Sequence, residues 1–341
     1  MELLPQPMIS PLILLVICYF YLGTAIDCGG NNIAKTITID KFGRGGAFRS
    51  IQAGIDSIQS NNDQWVKIHI NAGVYIEKVS IPYDKPCIIL EGEGSRHTVI
   101  IHGDTRTATS WEATFTSSPP NVIVSGIAFK LQNTFNLVGG QLPGVTAKIE
   151  VAVAAVVAGD KSSFFNCAFQ GYQDTLIAAI GRHYFKDCYI QGEVDFIAGA
   201  GQSYFENCTI SVTQAKGRPP GFITAQSRAS SNDPDGFVFE GGSVDGIGVV
   251  NLGRAWGPYS RVIFHKTYFS SVVIPEGWNS WNFYGQEGKI TYAEVDCIGP
   301  GANNVNRVPW KKNMTPSQLQ EFSKSSFINK DGWLDNIPIK Y

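Results

Sequence analysis

The sequence predicts an all-β fold of the solenoid type, a parallel β-helix. Three observations support this prediction: a repeat of about twenty residues, short β-branched and aromatic runs separated by turn residues, and a high glycine content. Glycine accounts for 36 of the 341 residues, against an average of about 7%. Because glycine favours tight turns over long helices, the composition argues against a helical bundle.

The repeat is clearest in three segments that share the pattern Phe-x-Asn/Asp-Cys. Their cysteines follow one another at intervals of 21 and 20 residues. A period near 20 is too short for paired-helix repeats and suits one coil of a β-helix, with three short strands and three turns. The three segments are residues 164–167 (FFNC), 185–188 (FKDC) and 205–208 (FENC), and weaker copies occur at 124–127 (VSGI), 239–242 (FEGG) and 264–267 (FHKT).

The three repeat cysteines are expected to stack in the core. Equivalent positions of successive coils lie on neighbouring strands, about 4.8 Å apart. We interpret Cys167, Cys188 and Cys208 as small buried hydrophobic residues, because a stack on parallel strands does not offer the tetrahedral geometry of a zinc site. The chain has seven cysteines, and their spacing leaves the disulfide pairing open.

The N-terminal segment predicts secretion. Residues 12–22 form an unbroken apolar run, too short for a membrane-spanning helix of about 20 residues. The small residues 23–25 (GTA) follow it and suit cleavage after Ala25. No Lys or Arg precedes the run, and a buried core strand is the alternative. We therefore expect a signal peptide at 1–25 and a single secreted, extracellular domain at 26–341.

Both flanks of the solenoid differ from its middle. Residues 48–58 carry apolar side chains at 48, 51, 55 and 58, a helical spacing. This predicts a helix that caps the N-terminal end and shields the apolar coil from water. From Asn303 the chain becomes polar and Lys-rich, and residues 315–322 predict a short helix. We expect a C-terminal tail packed along the outside.

Two glycosylation sequons are present, at residues 207–209 (NCT) and 313–315 (NMT). The first is predicted to lie in a packed strand, which would make it a poor acceptor. The second is predicted to lie in a polar loop and is the better candidate.

The composition excludes several classes of function. The net charge of −2 argues against a nucleic-acid binder, and no later segment is long and apolar enough to span a membrane. A Ser-His-Asp esterase lacks support because the Gly-x-Ser-x-Gly pattern does not occur. Glycine-rich phosphate loops are also missing, and we expect no cofactor. The five histidines show no metal-ligand spacing, so we expect no metal.

Two carboxylates fall at one repeat position. Counting seven residues on from Cys167 and from Cys188 gives Asp174 and Asp195, one coil apart. Two carboxyl groups on neighbouring strands cannot both ionise freely, so the pKa of one should rise while the other stays anionic. Such a pair can supply a proton donor beside a nucleophile or base. The spacing leaves open that the pair instead caps turns or binds a structural cation.

Five motifs, in order along the chain, resemble signatures of plant pectin methylesterases. They are residues 73–77 (GVYIE), 171–176 (GYQDTL), 194–197 (VDFI), 252–257 (LGRAWG) and 299–302 (GPGA). The resemblance covers roughly residues 35–312. It implies a right-handed parallel β-helix and an enzyme that hydrolyses galacturonate methyl esters in cell-wall pectin, releasing methanol. The chain resembles the short form of the family, without an inhibitor-like pro-region.

The resemblance also implies a role for each matching residue. Asp195 matches the nucleophile, and Asp174 matches the acid that protonates the departing methanol and then acts as a base on water. Gln173 matches a donor to the tetrahedral oxyanion. Arg254 matches the guanidinium that holds the nucleophile carboxylate.

Substrate contacts are implied for Arg254, Thr109, Trp256 and Tyr172. Trp256 matches an aromatic wall of the sugar cleft. For Tyr172, as for Trp278 and Trp281, stacking on sugar and packing on the outer surface both stay open. Pectin is the implied partner, a proteinaceous pectinesterase inhibitor is a candidate partner, and we expect a monomer.

Two departures from the family pattern leave alternatives open. Val151 stands where members commonly have a Gln that adds a second oxyanion donor, and Ala198 stands where they commonly have Phe. These departures motivate a catalytically weak or silent pectin-binding homologue as one alternative. A pectin-chain hydrolase or lyase on the same fold is the other, but the sequence shows neither a cluster of three Asp nor a set of Asp ligands for Ca²⁺.

Overall fold

A computed structural model describes residues 26–102, 113–131, 153–214 and 217–339. Within these ranges the chain winds through 26 short strands into a right-handed parallel β-helix, which confirms the predicted fold class. The predicted signal peptide, Thr109 and Val151 lie outside the described residues.

Each coil contributes one strand to each of three parallel sheets, here named A, B and C. In the described residues, sheet A contains β1 (Ile33–Ile39), β2 (Trp65–Ile70), β5 (Ile88–Gly92), β8 (Val122–Ser125), β11 (Ser162–Phe165), β14 (Arg182–Lys186), β17 (Gln202–Glu206), β20 (Gly236–Glu240), β23 (Arg261–His265) and β26 (Thr291–Val295). Sheet B contains β3 (Gly73–Ile76), β6 (Thr98–His102), β9 (Ala128–Leu131), β12 (Ala168–Gln170), β15 (Tyr189–Gly192), β18 (Thr209–Thr213), β21 (Ser243–Ile247) and β24 (Tyr268–Phe269). Sheet C contains β4 (Val79–Ile81), β7 (Phe115–Ser117), β10 (Ala155–Val157), β13 (Leu176–Ala178), β16 (Val194–Gly199), β19 (Gly221–Gln226), β22 (Val250–Ala255) and β25 (Trp278–Asn279).

The sequence repeat is the register of sheet A. Phe164, Phe185, Phe205, Phe239 and Phe264 are paired in that order on consecutive strands. Their rings stack inside the coil with neighbouring centroids 5.0, 4.7, 4.4 and 4.3 Å apart. Stacked aromatic pairs contribute about 0.5–1.5 kcal/mol each beyond the burial of their area. The repeat therefore specifies both the strand register and the core.

The residue before each repeat cysteine lies in a turn with left-handed backbone. Asn166, Asp187 and Asn207 have φ of 52°, 53° and 52°, a conformation that Asn and Asp tolerate better than other residues with a side chain. This explains the Asn/Asp of the repeat pattern. Asn207 is exposed in its turn, although Thr209 begins β18, so the prediction of a packed strand is wrong for the acceptor residue of the first sequon.

The repeat cysteines are buried thiols. Cys167, Cys188 and Cys208 are at most 4% exposed and unpaired, and their thiols donate to backbone carbonyl groups of sheet A. Within the described ranges, a disulfide joins Cys28 and Cys87 instead. It ties the first described residues to the turn before β5.

A short helix, α1 (Ile51–Asp56), caps the N-terminal coil. Ile51 and Ile55 are fully buried against that coil, as the apolar spacing predicted, whereas Phe48 precedes the helix. The carboxylate of Glu77 accepts hydrogen bonds from the backbone N–H groups of Ile51 and Gln52, at 2.9 and 3.1 Å. These groups are unpaired in an isolated helix, so Glu77 of the GVYIE motif stabilises the cap.

The C-terminal tail packs on the outer face of sheet A, as predicted. It contains the short helices α2 (Pro316–Gln320) and α3 (Lys324–Phe327). Phe327 and Trp333 join an apolar cluster with outward side chains of the sheet, and Lys324 pairs with Glu206 at 2.6 Å. Across the described ranges, the helices are too short or too polar to cross a membrane.

Candidate active site

The structure brings Asp174 and Asp195 to the same position on neighbouring coils. Asp174 lies in the turn between β12 and β13, and Asp195 lies in β16. Leu176 pairs with Ile197 in sheet C, so the residues two positions earlier are aligned. The backbone N–H of Asp174 donates to the carbonyl of Val194 at 3.2 Å. The two carboxyl groups therefore start from adjacent coils, whose backbones are about 4.8 Å apart.

Both aspartates have left-handed backbone, with φ of 58° for Asp174 and 50° for Asp195. At Asp195 the pairing between β16 and β19 shifts, because Val194 pairs with Phe222 while Ile197 pairs with Thr224. A bulge of this kind redirects a side chain out of the regular alternation. Unfavourable backbone conformations cluster at functional sites, and here two of them carry the paired carboxylates.

Arg254 holds the carboxylate of Asp195. It lies in β22, two strands away from β16, and its side chain crosses β19 to reach the aspartate. Its Nε donates to Oδ1 of Asp195 at 2.8 Å, and its Nη2 donates to Oδ2. This bidentate geometry is the strongest form of an Arg–carboxylate pair. The side chain of Asp195 is 1% exposed and that of Arg254 is 16% exposed.

The surroundings of Asp174 and Asp195 affect the pKa values of the two carboxyl groups differently. Burial, together with the nearby negative charge of Asp195, raises the pKa of Asp174 to about 7, and Arg254 offsets part of that rise. Burial also raises the pKa of Asp195, but the charge and hydrogen bonds of Arg254 act in the opposite direction. We therefore assign the anion to Asp195, since it makes the bidentate contact, and the proton to Asp174.

Aromatic side chains surround the guanidinium of Arg254. Its Cζ lies 4.6 Å from the ring centroid of Phe222, 4.2 Å from that of Trp281 and 5.9 Å from that of Trp256. Trp256 and Trp281 also contact each other, with centroids 4.6 Å apart. These three rings, one from β19 and two from the segments that follow β22 and β25, pack around Arg254.

Gln173 and Tyr172 lie directly before Asp174. Gln173 pairs with Val194 in an isolated bridge, which places it beside the turn that precedes Asp195. The carbonyl of Tyr172 accepts from the N–H groups of Glu193 and Val194 at 2.8 and 3.2 Å. Both side chains are half-buried, and the backbone of both residues lies beside the strand that carries Asp195.

The structure places Trp278 and Trp281, whose roles the sequence left open, in different environments. Trp278 is 2% exposed, stacks on Tyr292 with centroids 4.4 Å apart, and donates from Nε1 to Glu294. It is therefore a core residue. Trp281 is half-buried beside Arg254 and belongs to the site.

Sequence reasoning missed two features of the site. Phe222 lies under the Arg254 side chain. The only feature of the sequence that could have indicated it was its position in a strand one coil beyond Asp195. Glu193 is 3% exposed, and its Oε1 lies 3.1 Å from Nε of Arg218. Glu193 directly precedes the VDFI motif, which could have directed attention to it.

Ala198 continues the outer row of sheet C that contains Arg254. It pairs with Ile177 on one side and with Ala225 on the other, and Ala225 pairs with Arg254. On the side of Arg254 that faces β19, this row therefore carries small or apolar side chains. In the ranges that the structure describes, no cluster of three or more His, Cys, Asp or Glu side chains could hold a metal ion.

Comparison with known proteins identifies the family. The family model described as Pectinesterase matches residues 36–331. The chain belongs to the pectinesterase family. Among curated pectinesterases, it is 42% identical to putative pectinesterase 10 of Arabidopsis thaliana over 331 residues, covering 96% of this chain and 95% of the relative. It is 41% identical to probable pectinesterase 29 of the same plant, covering 96% and 97%.

Solved pectinesterase structures share the fold. The pectin methylesterase from carrot superposes with a TM-score of 0.79 at 25% identity, covering 91% of this chain and 97% of the carrot chain. The pectin methylesterase from Aspergillus niger gives a TM-score of 0.74 at 25% identity, covering 92% and 99%. A pectinesterase needs a nucleophile and a proton donor at one ester, and the pair of Asp195 and Asp174 can supply both.

Proposed function

We propose that this pectinesterase hydrolyses the methyl esters of galacturonate units in pectin through the pair of Asp195 and Asp174. The observation that carries the proposal is the asymmetry of the pair. Asp195 is buried and held by two hydrogen bonds from Arg254, while Asp174 beside it has a pKa of about 7. One group can attack while the other keeps its proton near neutral pH.

The first half-reaction forms an acyl-enzyme. A carboxylate oxygen of Asp195 bonds to the ester carbonyl carbon, and the carbonyl oxygen becomes an oxyanion. The amide of Gln173 is the proposed donor to that oxyanion. As the tetrahedral carbon expels the methoxy group, Asp174 transfers its proton to the leaving oxygen, and methanol departs.

The second half-reaction restores the enzyme. The now anionic Asp174 takes a proton from water, and the hydroxyl oxygen bonds to the acyl carbon. The bond to Asp195 breaks, which returns its carboxylate to Arg254, and Asp174 is again protonated. The products are one galacturonic acid unit, which ionises, and one methanol for each water consumed.

Product analysis tests the activity. On highly methylated pectin, the secreted protein is expected to release methanol without forming uronate reducing ends or unsaturated products. New reducing ends would favour a pectin-chain hydrolase, and unsaturated products would favour a lyase. Binding to pectin without any product would favour the silent homologue.

The rate is expected to follow a bell-shaped dependence on pH. Asp195 must be ionised to attack, so the rate falls on the acid side. Asp174 must be protonated, so kcat falls as the pH rises through about 7. Initial rates of methanol release between pH 4 and 9 measure both limbs, and a rate that stays constant from pH 6 to 9 contradicts the role of Asp174.

The same pKa shift affects stability. The folded-state pKa of Asp174 lies above the ordinary Asp value, so its contribution to the free energy of unfolding is present at low pH and lost as the pH rises through about 7. The Asp174→Asn variant should remove this component of the pH dependence, which thermal unfolding at pH 5 and pH 8 can measure.

The proposed substrate contacts are those that the family resemblance implies. We assign the aromatic wall to Trp256 and Tyr172, with Arg254 and Thr109 as further contacts. Ala198 and Val151 then modify substrate fit and oxyanion stabilisation without removing the carboxylate pair. We also propose that the enzyme is a monomer and that a proteinaceous pectinesterase inhibitor is its protein partner.

We also propose that residues 1–25 are a signal peptide and that residues 26–341 form one secreted domain that acts in the cell wall. The disulfide between Cys28 and Cys87 supports an oxidising compartment. Asn207 and Asn313 are both exposed sequon residues and are the proposed glycosylation sites. N-terminal sequencing of the secreted protein tests this directly, since a start away from residue 26 contradicts the cleavage site.

A further inference from the structure

The guanidinium of Arg254 lies against two aromatic rings from distant parts of the chain. Its Cζ is 4.6 Å from the ring centroid of Phe222 and 4.2 Å from that of Trp281. Both distances are well inside the range of about 6 Å at which a cation is attracted to an aromatic ring. We call Phe222 and Trp281 the aromatic pair.

The fold supplies the two rings from two directions. Phe222 lies on β19, the strand between those of Asp195 and Arg254, and pairs with Val194 and Asn251. Trp281 follows β25, the strand beyond Arg254, and its backbone N–H donates to Oδ1 of Asn279 at 2.7 Å. Its φ of 48° is rare for a bulky residue. The ring of Trp281 is thus held over the guanidinium by an uncommon backbone conformation.

Arg254 needs this support because of the path that its side chain takes. It must cross β19 to reach Asp195, and the residue paired with Arg254 on β19 is Ala225, whose small side chain leaves the crossing open. A long arginine side chain has about 2 kcal/mol of rotamer entropy to lose. Rings packed on the guanidinium restrict those rotamers and exclude water that would compete with the carboxylate.

We propose that Phe222 and Trp281 are positioning residues, which hold the guanidinium of Arg254 in the plane that gives Asp195 its bidentate contact. This rests on the proposed function, because Asp195 is the nucleophile of that reaction. The aromatic pair acts on the reaction through its contacts with Arg254.

Positioning and sugar binding predict different kinetics. If the rings only stacked on sugar, their loss would raise KM with little change in kcat. If they hold Arg254, their loss lets the guanidinium leave Asp195. The buried carboxylate then favours its neutral form, so kcat falls and the acid limb of the pH profile moves to higher pH.

The experiment compares Phe222→Leu and Trp281→Leu with the unmodified enzyme on methylated pectin. Each variant is expected to lower kcat about tenfold, to change KM less than about twofold, and to move the acid limb to higher pH. Phe222→Tyr and Trp281→Phe keep an aromatic face and are expected to restore kcat and the limb. The control is Tyr284→Ala, since Tyr284 is 87% exposed three residues after Trp281 and should not affect either quantity.

Three outcomes overturn the inference: unchanged kcat in both leucine variants, a raised KM with the acid limb in place, or failure of the aromatic variants to restore activity. Thermal unfolding shows whether each variant is folded. If Trp281→Leu is not folded, Trp281→Met replaces it, because methionine keeps the apolar contact without a ring. The proposed function fails separately, if the unmodified enzyme releases no methanol.

Discussion

The Asp195→Asn variant is expected to lose methanol release by about 10⁴-fold or more in kcat, since removal of a nucleophile costs this much in other hydrolases. An amide oxygen is too weak a nucleophile to attack the ester. The fold should persist because Asn has nearly the same shape as Asp and tolerates the left-handed backbone at this position, where φ is 50°.

The matched control for this variant is Asp187→Asn. Asp187 has the same left-handed backbone, with φ of 53°, and lies exposed in a turn on sheet A. The chemical change is identical, but the site is distant from the ester, so full activity is expected. A rate for Asp195→Asn within tenfold of the unmodified enzyme would place the nucleophile elsewhere.

The Arg254→Gln variant is expected to lower both activity and stability. It leaves the carboxylate of Asp195, which is 1% exposed, without its cation. Breaking a buried ion pair by removing one partner costs about 3–5 kcal/mol, and we expect the lower part of this range because Arg254 is partly exposed. The pKa of Asp195 should rise further, since burial then acts unopposed, and activity at neutral pH should fall at least about 100-fold.

The stability loss in this variant should depend on pH. With a folded-state pKa above the unfolded value, Asp195 contributes stability that is present at low pH and lost as the pH rises through the folded pKa. Urea unfolding should therefore show a larger loss for Arg254→Gln at pH 8 than at pH 5. Adding Asp195→Asn removes the buried charge and should restore most of the stability, but no activity.

Lys67→Gln provides the control for Arg254→Gln. Lys67 pairs with Glu91 at 3.1 Å, and both side chains are 24% exposed. Pairs near the surface contribute at most about 1 kcal/mol, so little change in unfolding and none in activity are expected. A loss for Arg254→Gln as small as that for Lys67→Gln would show that Asp195 does not depend on its arginine.

The repeat predicted the coil because its period fixes which residues lie side by side. The cysteine spacings of 21 and 20 residues predicted the register of sheet A. Counting seven residues on from Cys167 and from Cys188 aligned Asp174 with Asp195. These are local consequences of a solenoid, in which each coil contacts mainly its neighbours. The weaker copies at Phe239 and Phe264 also follow that register.

Contacts made by side chains from turns and from distant coils could not be predicted by counting residues along the repeat. Arg254 lies 59 residues after Asp195, with an intervening coil of different length, so its role came from the family resemblance and not from spacing. The helix cap by Glu77 and the choice of Trp281 over Trp278 for the site depend on how turns direct side chains. The disulfide partner of Cys28 depends on where the first segment meets the turn before β5.

By itself the sequence determined the winding of the chain and the stacking of the two acids, because a regular period leaves a single way to lay one coil on the next. The family resemblance implied which acid is the nucleophile, and only the tertiary structure decided the physical basis of the difference: Asp195 is held by Arg254, whose guanidinium packs against Phe222 and Trp281, while the pKa of Asp174 is raised to about 7. The physical reason is that acidity depends on burial and on charges from other coils, and neither is encoded at the position of the aspartate itself.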